Sequence, residues 1–160
     1  IPTCLSRLDD LADRLTPRLT GPLPDRVAAL ARFLFADGGF AGNEADYYDP
    51  RNSYLNDVLD RRLGIPLTLS LVAVAVGGRC GLEVVGVGLP GHFVAKATAG
   101  GAEVIFDPFH GGRVLARADC AELVRAVTAQ PFAPTDAAVR PCPPGLVAVR
   151  RAELLQMIAG

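Results

Sequence analysis

The sequence lacks the excess of one charge that favours a nucleic-acid or membrane partner. Among its 160 residues, 16 basic side chains stand against 17 acidic ones. Broad attraction to nucleic acid or to an anionic membrane requires a positive surface potential, which this balance does not supply. We therefore expect no nucleic-acid partner and no membrane partner.

Long apolar runs are also absent. The most apolar stretch, Pro66 to Val76, falls well short of the ~20 residues that a transmembrane helix needs. The first residues, Ile1 to Asp13, carry charges at helical spacing, which is unlike a signal peptide. Both observations favour a cytoplasmic location.

The cysteines and histidines show no spacing typical of a metal site. The four cysteines form no C-x-x-C pair, and only two histidines accompany them. Structural zinc sites are usually built from such closely spaced pairs. We expect no metal and no cofactor, and we interpret Cys4, Cys120 and Cys142 as small apolar residues whose free thiols fit a reducing compartment.

Half of the residues are hydrophobic and 21% are charged, which is typical of a packed globular domain. We predict one domain over residues 1–130, followed by a proline-rich linker and a C-terminal helix over 131–160. Apolar residues at helical spacing predict helices over 5–15, 26–36, 54–63 and 119–127. Asp25 is the predicted N-cap of the second helix, and Asn52 or Ser53 that of the third.

The middle of the chain predicts one buried helix and three strands. Residues 66–76 alternate as a strand would, but the leading proline suits a first helical turn, and we predict a helix. The apolar runs 82–87, 92–97 and 103–106 are separated by turns that contain glycine. They predict neighbouring strands of an antiparallel sheet.

His92 opens the second predicted strand, and Asp107 ends the third. If these strands form a hairpin, the two side chains lie side by side. An aspartate that accepts from one ring nitrogen fixes the tautomer of the imidazole, as a base in nucleophilic catalysis requires. The alternative is that His92 bonds only to backbone and Asp107 only caps a turn, and the spacing leaves both open.

Four blocks of sequence occur in a characteristic order. They are GFAGNEADYYDPRNSYLN at 39–56, VLDRRLGIPLTLS at 58–70, GVGLPGHF at 86–93 and DPFHGG at 107–112. These blocks resemble the SirB family of the transglutaminase-like, papain-related superfamily. The resemblance implies an α+β fold with N-terminal helices and a buried central helix packed on an antiparallel sheet.

The resemblance also implies a catalytic set in which a cysteine at the start of the central helix faces a histidine and an aspartate. His92 and Asp107 fall on the histidine and the aspartate. The place of the cysteine falls on or next to Pro66, which offers neither a nucleophile nor a backbone donor. Cys80 lies at the other end of the helix, about 20 Å away, and cannot replace it.

Two hydroxyls near the start of the same helix are candidate substitutes for the missing thiol. Thr68 or Ser70, hydrogen-bonded to His92, would rebuild a hydroxyl–histidine–aspartate set. The alternative is that each hydroxyl bonds a carbonyl of the preceding helical turn.

The predicted loop over 40–53 concentrates aromatic and polar side chains. Tyrosines combine apolar area with a polar tip, and asparagine and arginine form directional hydrogen bonds, which suits the binding of a peptide or protein. The alternative is that the loop packs over the core and caps its own turns. The candidate binding residues are Tyr47, Tyr48, Asp49, Asn52, Ser53 and Asn56. His110 is interpreted as a solvated loop histidine outside the site.

Two functions follow from these residues. The missing cysteine favours a non-catalytic module that binds a protein or peptide partner, and the resemblance implies a regulatory association. The alternative is an amide hydrolase or acyltransferase in which His92 and Asp107 activate water or the hydroxyl of Thr68 or Ser70. General-base catalysis of this kind contributes about 10²- to 10⁴-fold.

Overall fold

The fold is described from a computed structural model, which covers residues 3–135 together with Val139 and Pro141. The predicted C-terminal helix, half of the predicted linker and Cys142 lie outside the described residues. The division of the chain at residue 130 stays a prediction.

The N-terminal part is helical, as predicted. Helix α1 (Cys4–Leu15) begins after Thr3, whose hydroxyl accepts a hydrogen bond from the backbone N–H of Ser6. Helix α2 (Leu23–Ala31) continues into a π-helical turn, Arg32–Asp37. The predicted N-cap Asp25 was wrong, because the helix begins two residues earlier and Asp25 lies in its first turn. An acidic side chain there interacts favourably with the helix dipole.

The segment predicted as a loop contains more regular structure than expected. A two-residue strand, β1 (Ala41–Gly42), pairs in parallel with β2 (Leu63–Gly64). A 3₁₀ turn, Pro50–Ser53, precedes helix α3 (Leu55–Arg61), whose N-cap is Tyr54. Asn52 and Ser53 therefore lie inside the 3₁₀ turn and do not cap α3, because the turn itself delivers the chain to the helix.

The central helix confirms the choice of helix over strand. Helix α4 (Pro66–Arg79) carries the proline in its first turn, where the missing N–H has no intrahelical partner to lose. Its side chains Leu69, Val72 and Val76 are fully buried. They pack in the main core between the N-terminal helices and one face of the sheet.

The main sheet is antiparallel, in the order β3 (Glu83–Leu89), β4 (His92–Ala99), β5 (Ala102–Asp107) and β6 (Arg113–Leu115). The three predicted strands are present, and the short β6 was not predicted. Helix α5 (Arg117–Thr128) lies against β4 and β6. It helps to form a second apolar cluster that includes Val87, Val94, Leu115 and Val124.

These elements confirm the predicted α+β fold class, with N-terminal helices and a buried helix on an antiparallel sheet. The β4–β5 register pairs Ala95 with Phe106. The first residue of β4 and the last residue of β5 consequently lie at the same end of the sheet. Among the described residues, no helix combines the length and apolar character needed to cross a membrane.

Two adjacent glycines near the end of α4 test how closely this helix approaches the sheet. A Cβ atom at Gly77 would lie 2.7 Å from Cγ2 of Val84 in β3, whereas one at Gly78 would meet nothing within 4 Å. Both Gly→Ala changes gain about 1 kcal/mol of helix propensity, but only Gly77→Ala adds overpacking, which costs about 1–3 kcal/mol. We expect Gly77→Ala to unfold at lower urea concentration than Gly78→Ala, and equal midpoints would contradict the tight contact.

Candidate functional site

The side chains of His92 and Asp107 are in direct contact. Nε2 of His92 lies 3.0 Å from Oδ2 of Asp107, which is a hydrogen-bond distance. The imidazole is 4% exposed and the carboxylate 0%. The hairpin of β4 and β5 thus produces the contact that the sequence led us to expect.

Asp107 also caps a turn, but its contact with His92 means that capping is not its only role. Its Oδ1 accepts a hydrogen bond of 3.1 Å from the backbone N–H of Phe109 in the 3₁₀ turn Pro108–His110. This bond fixes the plane of the carboxylate. Oδ2 is then left to face the imidazole of His92.

A second histidine, His110, contacts the same carboxylate oxygen. Its Nδ1 lies 2.7 Å from Oδ2 of Asp107, and its side chain is 42% exposed. Sequence analysis placed His110 outside the site because a lone loop histidine is usually solvated. The signal that could have revealed it is the spacing in Asp107-Pro-Phe-His110, since side chains three residues apart eclipse each other on a 3₁₀ turn.

The histidines keep the buried carboxylate ionised. Burial raises the pKa of Asp107, but the hydrogen bonds from His92 and His110, with their positive electrostatic influence, outweigh burial and leave the pKa below its ordinary value. The site therefore presents a carboxylate that accepts three hydrogen bonds.

Phe109 connects this site to the tyrosine loop. Its ring centroid lies 6.1 Å from that of His92, 5.0 Å from that of His110 and 6.0 Å from that of Tyr47. A Cβ atom at Gly42 would lie 2.5 Å from the Phe109 ring, so the glycine in β1 leaves the space that the ring occupies.

The tyrosines form the exposed end of this row of rings. Tyr47 and Tyr48 contact each other edge to face, with centroids 5.4 Å apart. Tyr48 is 91% exposed and Tyr47 41%. We call Tyr47, Tyr48 and Phe109 the aromatic row. It reaches from solvent to the buried histidine.

Asn52, a predicted binding residue, is instead part of the loop's internal framework. It is 0% exposed. Its side-chain amide donates to the carbonyls of Asp46 and Tyr47, at 2.8 and 3.1 Å, and its amide oxygen accepts from Asn43. The prediction of a surface role for Asn52 was wrong, because its polar groups are consumed in closing the loop.

The other candidate binding residues differ in exposure. The Asp49 side chain is only 7% exposed and forms ion pairs with Arg51 and Arg61 at 2.7 and 3.2 Å. Hydrogen bonds from Arg51 lower the pKa of Asp49 to about 2. Ser53 is half-buried, and Asn56 is exposed. Of the six predicted binding residues, Tyr48, Tyr47 and Asn56 present their side chains to solvent.

The start of α4 contains the proposed substitute nucleophiles, and the structure brings neither to His92. The Thr68 hydroxyl donates to the Asn52 carbonyl at 2.8 Å and accepts from the Ile65 N–H at 3.1 Å. These hydrogen bonds hold the start of α4 against the tyrosine loop. Pro66, the first residue of the helix, is buried there. The hydroxyl of Ser70 is fully buried and has no hydrogen-bond partner among the described residues.

The cysteines offer no thiol at this site within the described residues. Cys80 contacts the carbonyl of Ala12 through its sulfur, far along α4. Cys120 is fully buried in the second apolar cluster. Burial, with a contribution from nearby Asp119, raises the pKa of the Cys120 thiol.

A helix buried against an antiparallel sheet, with a histidine and an aspartate from successive strands in contact at one end, is the arrangement of a transglutaminase-like domain. The profile of the transglutaminase-like superfamily matches residues 2–153. The chain belongs to this superfamily.

Curated relatives come from bacteria and animals. The chain is 44% identical over 102 residues to a UPF0162 protein of Xylella fastidiosa (strain 9a5c), covering 64% of this chain and 36% of that protein. It is 32% identical over 87 residues to a UPF0162 protein of Vibrio cholerae, covering 54% of this chain and 32% of that protein. It is 33% identical over 104 residues to human F-box only protein 21, covering 60% of this chain and 17% of that protein.

The chain thus spans about a third of the length of the UPF0162 proteins it matches. No solved structure shows a significant match.

The two asparagines predicted to bind a partner should behave differently when mutated. Asn52→Ala removes a buried amide and leaves backbone carbonyls unpaired, at a cost of about 1–3 kcal/mol for each unsatisfied group. Asn56→Ala changes an exposed side chain, where effects usually stay within about 0.5 kcal/mol. Urea denaturation of both variants measures the difference, and equal stabilities would contradict the framework role of Asn52.

Asp107 should contribute to the pH dependence of stability. Because its pKa is lower in the folded than in the unfolded chain, its contribution is fully present above the unfolded value of about 3.9 and is lost as pH falls through the folded value. Asp107→Asn should cost about 1.5–3 kcal/mol near neutral pH, the range for hydrogen bonds to charged groups. Its free energy of unfolding should fall less steeply than that of the wild type below pH 4. The free energy of unfolding is measured by urea denaturation at several pH values. If it falls equally steeply below pH 4 in the wild type and in Asp107→Asn, this expectation is refuted.

Proposed function

We propose that this chain is a SirB-type transglutaminase-like domain that has no catalytic nucleophile and binds a protein or peptide segment at the aromatic row. The observation that carries the proposal is the pairing of two features at one site. The resemblance puts Pro66, the first residue of α4, at the place of the superfamily's cysteine, and an exposed aromatic surface adjoins His92 and Asp107.

Several features support the SirB-type assignment and a regulatory role in the cytoplasm. The four sequence blocks around the tyrosine loop, the central helix and the two strand ends carry the resemblance to that family. A domain without a nucleophile regulates by binding. The three described cysteines, Cys4, Cys80 and Cys120, are free thiols, as a reducing compartment favours.

The chemistry of the aromatic row suits a peptide. Tyrosine is among the residues enriched in the energetically dominant part of protein interfaces, because a rigid ring buries much area at a small entropic cost. Its phenol, together with the exposed edge of His110, provides hydrogen bonds for the polar backbone of a bound segment. Glu44, 74% exposed and near His110, adds a negative charge at the edge of the row.

The absence of a reachable nucleophile disfavours the hydrolase or acyltransferase alternative. Thr68 uses its hydroxyl to hold the start of α4, and Ser70 is buried without exposure to a substrate. Of the groups considered within the described residues, this leaves water for His92 to activate. A binding role needs no nucleophile, so it accounts for the same residues with fewer requirements.

A peptide-display experiment tests the proposal. Phage carrying random dodecapeptides are selected on the 160-residue chain, and the enriched peptides are synthesised and titrated by fluorescence anisotropy. Because Tyr48 supplies the most exposed part of the row, Tyr48→Ala should weaken binding at least about tenfold, which corresponds to ~1.4 kcal/mol. Leu5→Ala, which truncates an exposed apolar side chain on α1, is the matched control and should leave the affinity unchanged.

Two outcomes would overturn the proposal. One is the failure of any peptide to bind, or binding that is equally strong in Tyr48→Ala. The other is covalent labelling of the wild-type chain by a fluorophosphonate acyl-enzyme probe that disappears in His92→Ala. The second result would establish a nucleophile and favour the hydrolase or acyltransferase.

A further inference from the structure

Both histidines of this chain converge on one carboxylate oxygen. The sequence contains only two histidines, one at the start of β4 and one in the turn after β5. Nε2 of His92 and Nδ1 of His110 lie 3.0 and 2.7 Å from Oδ2 of Asp107. The three ligand atoms all lie within 4.8 Å of one another.

We propose that His92, Asp107 and His110 form a binding site for a divalent transition-metal ion such as Zn²⁺, with Nε2, Oδ2 and Nδ1 as ligands. Imidazole nitrogen together with carboxylate oxygen is a ligand set that zinc and neighbouring first-row metals prefer. No metal was expected from the sequence, because the cysteines and histidines form no closely spaced pairs. This site joins strand ends that only the sheet brings together.

The distances suit a metal ion of this size. Zinc binds histidine nitrogen and carboxylate oxygen at about 2.0–2.2 Å, so neighbouring ligand atoms of a tetrahedral site lie about 3.3 Å apart. The observed separations of 3.0 and 2.7 Å from Oδ2 need to open by about 0.3 and 0.6 Å, and the two ring nitrogens, which lie within 4.8 Å of each other, need to come to about 3.3 Å. Side-chain rotation of the exposed His110 supplies such a movement without shifting either strand.

The surroundings orient the ligands as metal sites require. Asp107 accepts from the backbone N–H of Phe109 through Oδ1, which keeps Oδ2 directed at both imidazoles. The other ring nitrogen of His110, Nε2, lies 3.9 Å from Oε1 of Glu44. This separation is longer than a hydrogen bond, so Glu44 acts on the ring through its charge and supports the ligand less than a hydrogen-bonded carboxylate does.

Metal binding changes where the ring protons sit. Without a metal, a hydrogen on each facing nitrogen satisfies Oδ2. With a metal, the facing nitrogens donate lone pairs, and the protons of neutral rings move to Nδ1 of His92 and Nε2 of His110. The two histidines thus become ligands through different ring nitrogens, which gives the site a distinctive spectroscopic pattern.

The site is open on one side. His92 and Asp107 are buried, whereas the His110 side chain is 42% exposed. Three protein ligands leave at least one coordination position for water or for a donor atom from another molecule. This inference is independent of peptide binding, because the aromatic row does not require the metal.

Titration of the ¹⁵N-histidine-labelled 160-residue chain with ZnCl₂, followed by NMR of the ring nitrogens, tests the proposal. We expect saturation at one equivalent, with metal-induced shifts at Nε2 of His92 and Nδ1 of His110. Assignment uses His110→Ala, in which one set of signals disappears. The exposure of His110 makes this the variant least disruptive to the fold, and circular dichroism checks that the fold is retained.

Isothermal titration calorimetry with ZnCl₂ compares the Zn²⁺ affinities of three variants with that of the wild type. His110→Ala removes a ligand and should weaken binding by at least about 100-fold, beyond the ~10- to 100-fold range found for residues that only support a ligand. Glu44→Gln should weaken it by about tenfold or less. Asp10→Asn, a matched loss of one exposed acid on α1, should have no effect.

Three results would overturn the proposal. The first is no Zn²⁺ binding up to about 1 mM, since a dissociation constant of 1 mM corresponds to a binding free energy of only about −4.1 kcal/mol. The second is an affinity in folded His110→Ala equal to that of the wild type. The third is thiolate-to-metal absorption on substitution with Co²⁺, which would assign the ion to cysteines.

Discussion

The carboxylate of Asp107 connects the backbone, the two histidines and the solvent-facing surface. It is fully buried, and an isolated buried charge is expensive. Its cost is offset because Oδ1 accepts a backbone N–H and Oδ2 faces two imidazoles. The same turn that this carboxylate caps also directs Phe109 against the tyrosine loop and returns the chain into β6. A change at this one group therefore reaches both the sheet end and the surface next to it.

The loop on the other side of the site is held by Asn52, a predicted binding residue, and Thr68, a predicted substitute nucleophile. Asn52 ties the loop to itself, and the Thr68 hydroxyl ties the Asn52 carbonyl to the start of α4. In a catalytic member of the superfamily, the start of this helix presents a thiol. Here the helix begins with the buried Pro66. The nearby hydroxyl of Thr68 hydrogen-bonds the Ile65 N–H and the Asn52 carbonyl. The polar groups near the start of α4 thus stabilise the fold.

A histidine paired with a buried aspartate suits general-base chemistry, hydrogen bonding to a partner and metal binding alike. What separates these roles is the neighbouring group. A thiol would suit the pair to act as a base, an aromatic row suits it to a binding surface, and a second imidazole on the same oxygen suits it to the proposed metal site. The chain has the second and third neighbours within the described residues.

The sequence by itself determined the elements whose signals are local. Leucine spacing defined α1, the leading proline and the length of the apolar run defined α4, and glycine turns separated the strands. The resemblance assigned His92 and Asp107 to the family's histidine and aspartate, and Pro66 to the place of its cysteine. The start of α2 was predicted too late. Asp25 was the predicted N-cap, but the helix begins at Leu23, with a proline in its first turn. The three-residue β6 was missed because so short a run has no periodicity to detect.

Only the tertiary structure decided which side chains meet. Asn52 is buried because the loop folds around its side-chain amide, which bonds the carbonyls of Asp46 and Tyr47. Its polarity had suggested instead a side chain that contacts a partner. The second imidazole joins Asp107 because a 3₁₀ turn eclipses residues three apart, which composition does not reveal. Phe109 reaches Tyr47 because Gly42, distant in sequence, leaves room for its ring. Local sequence fixes helices and turns, whereas long-range packing fixes the contacts between them, and the chemistry of this site depends on those contacts.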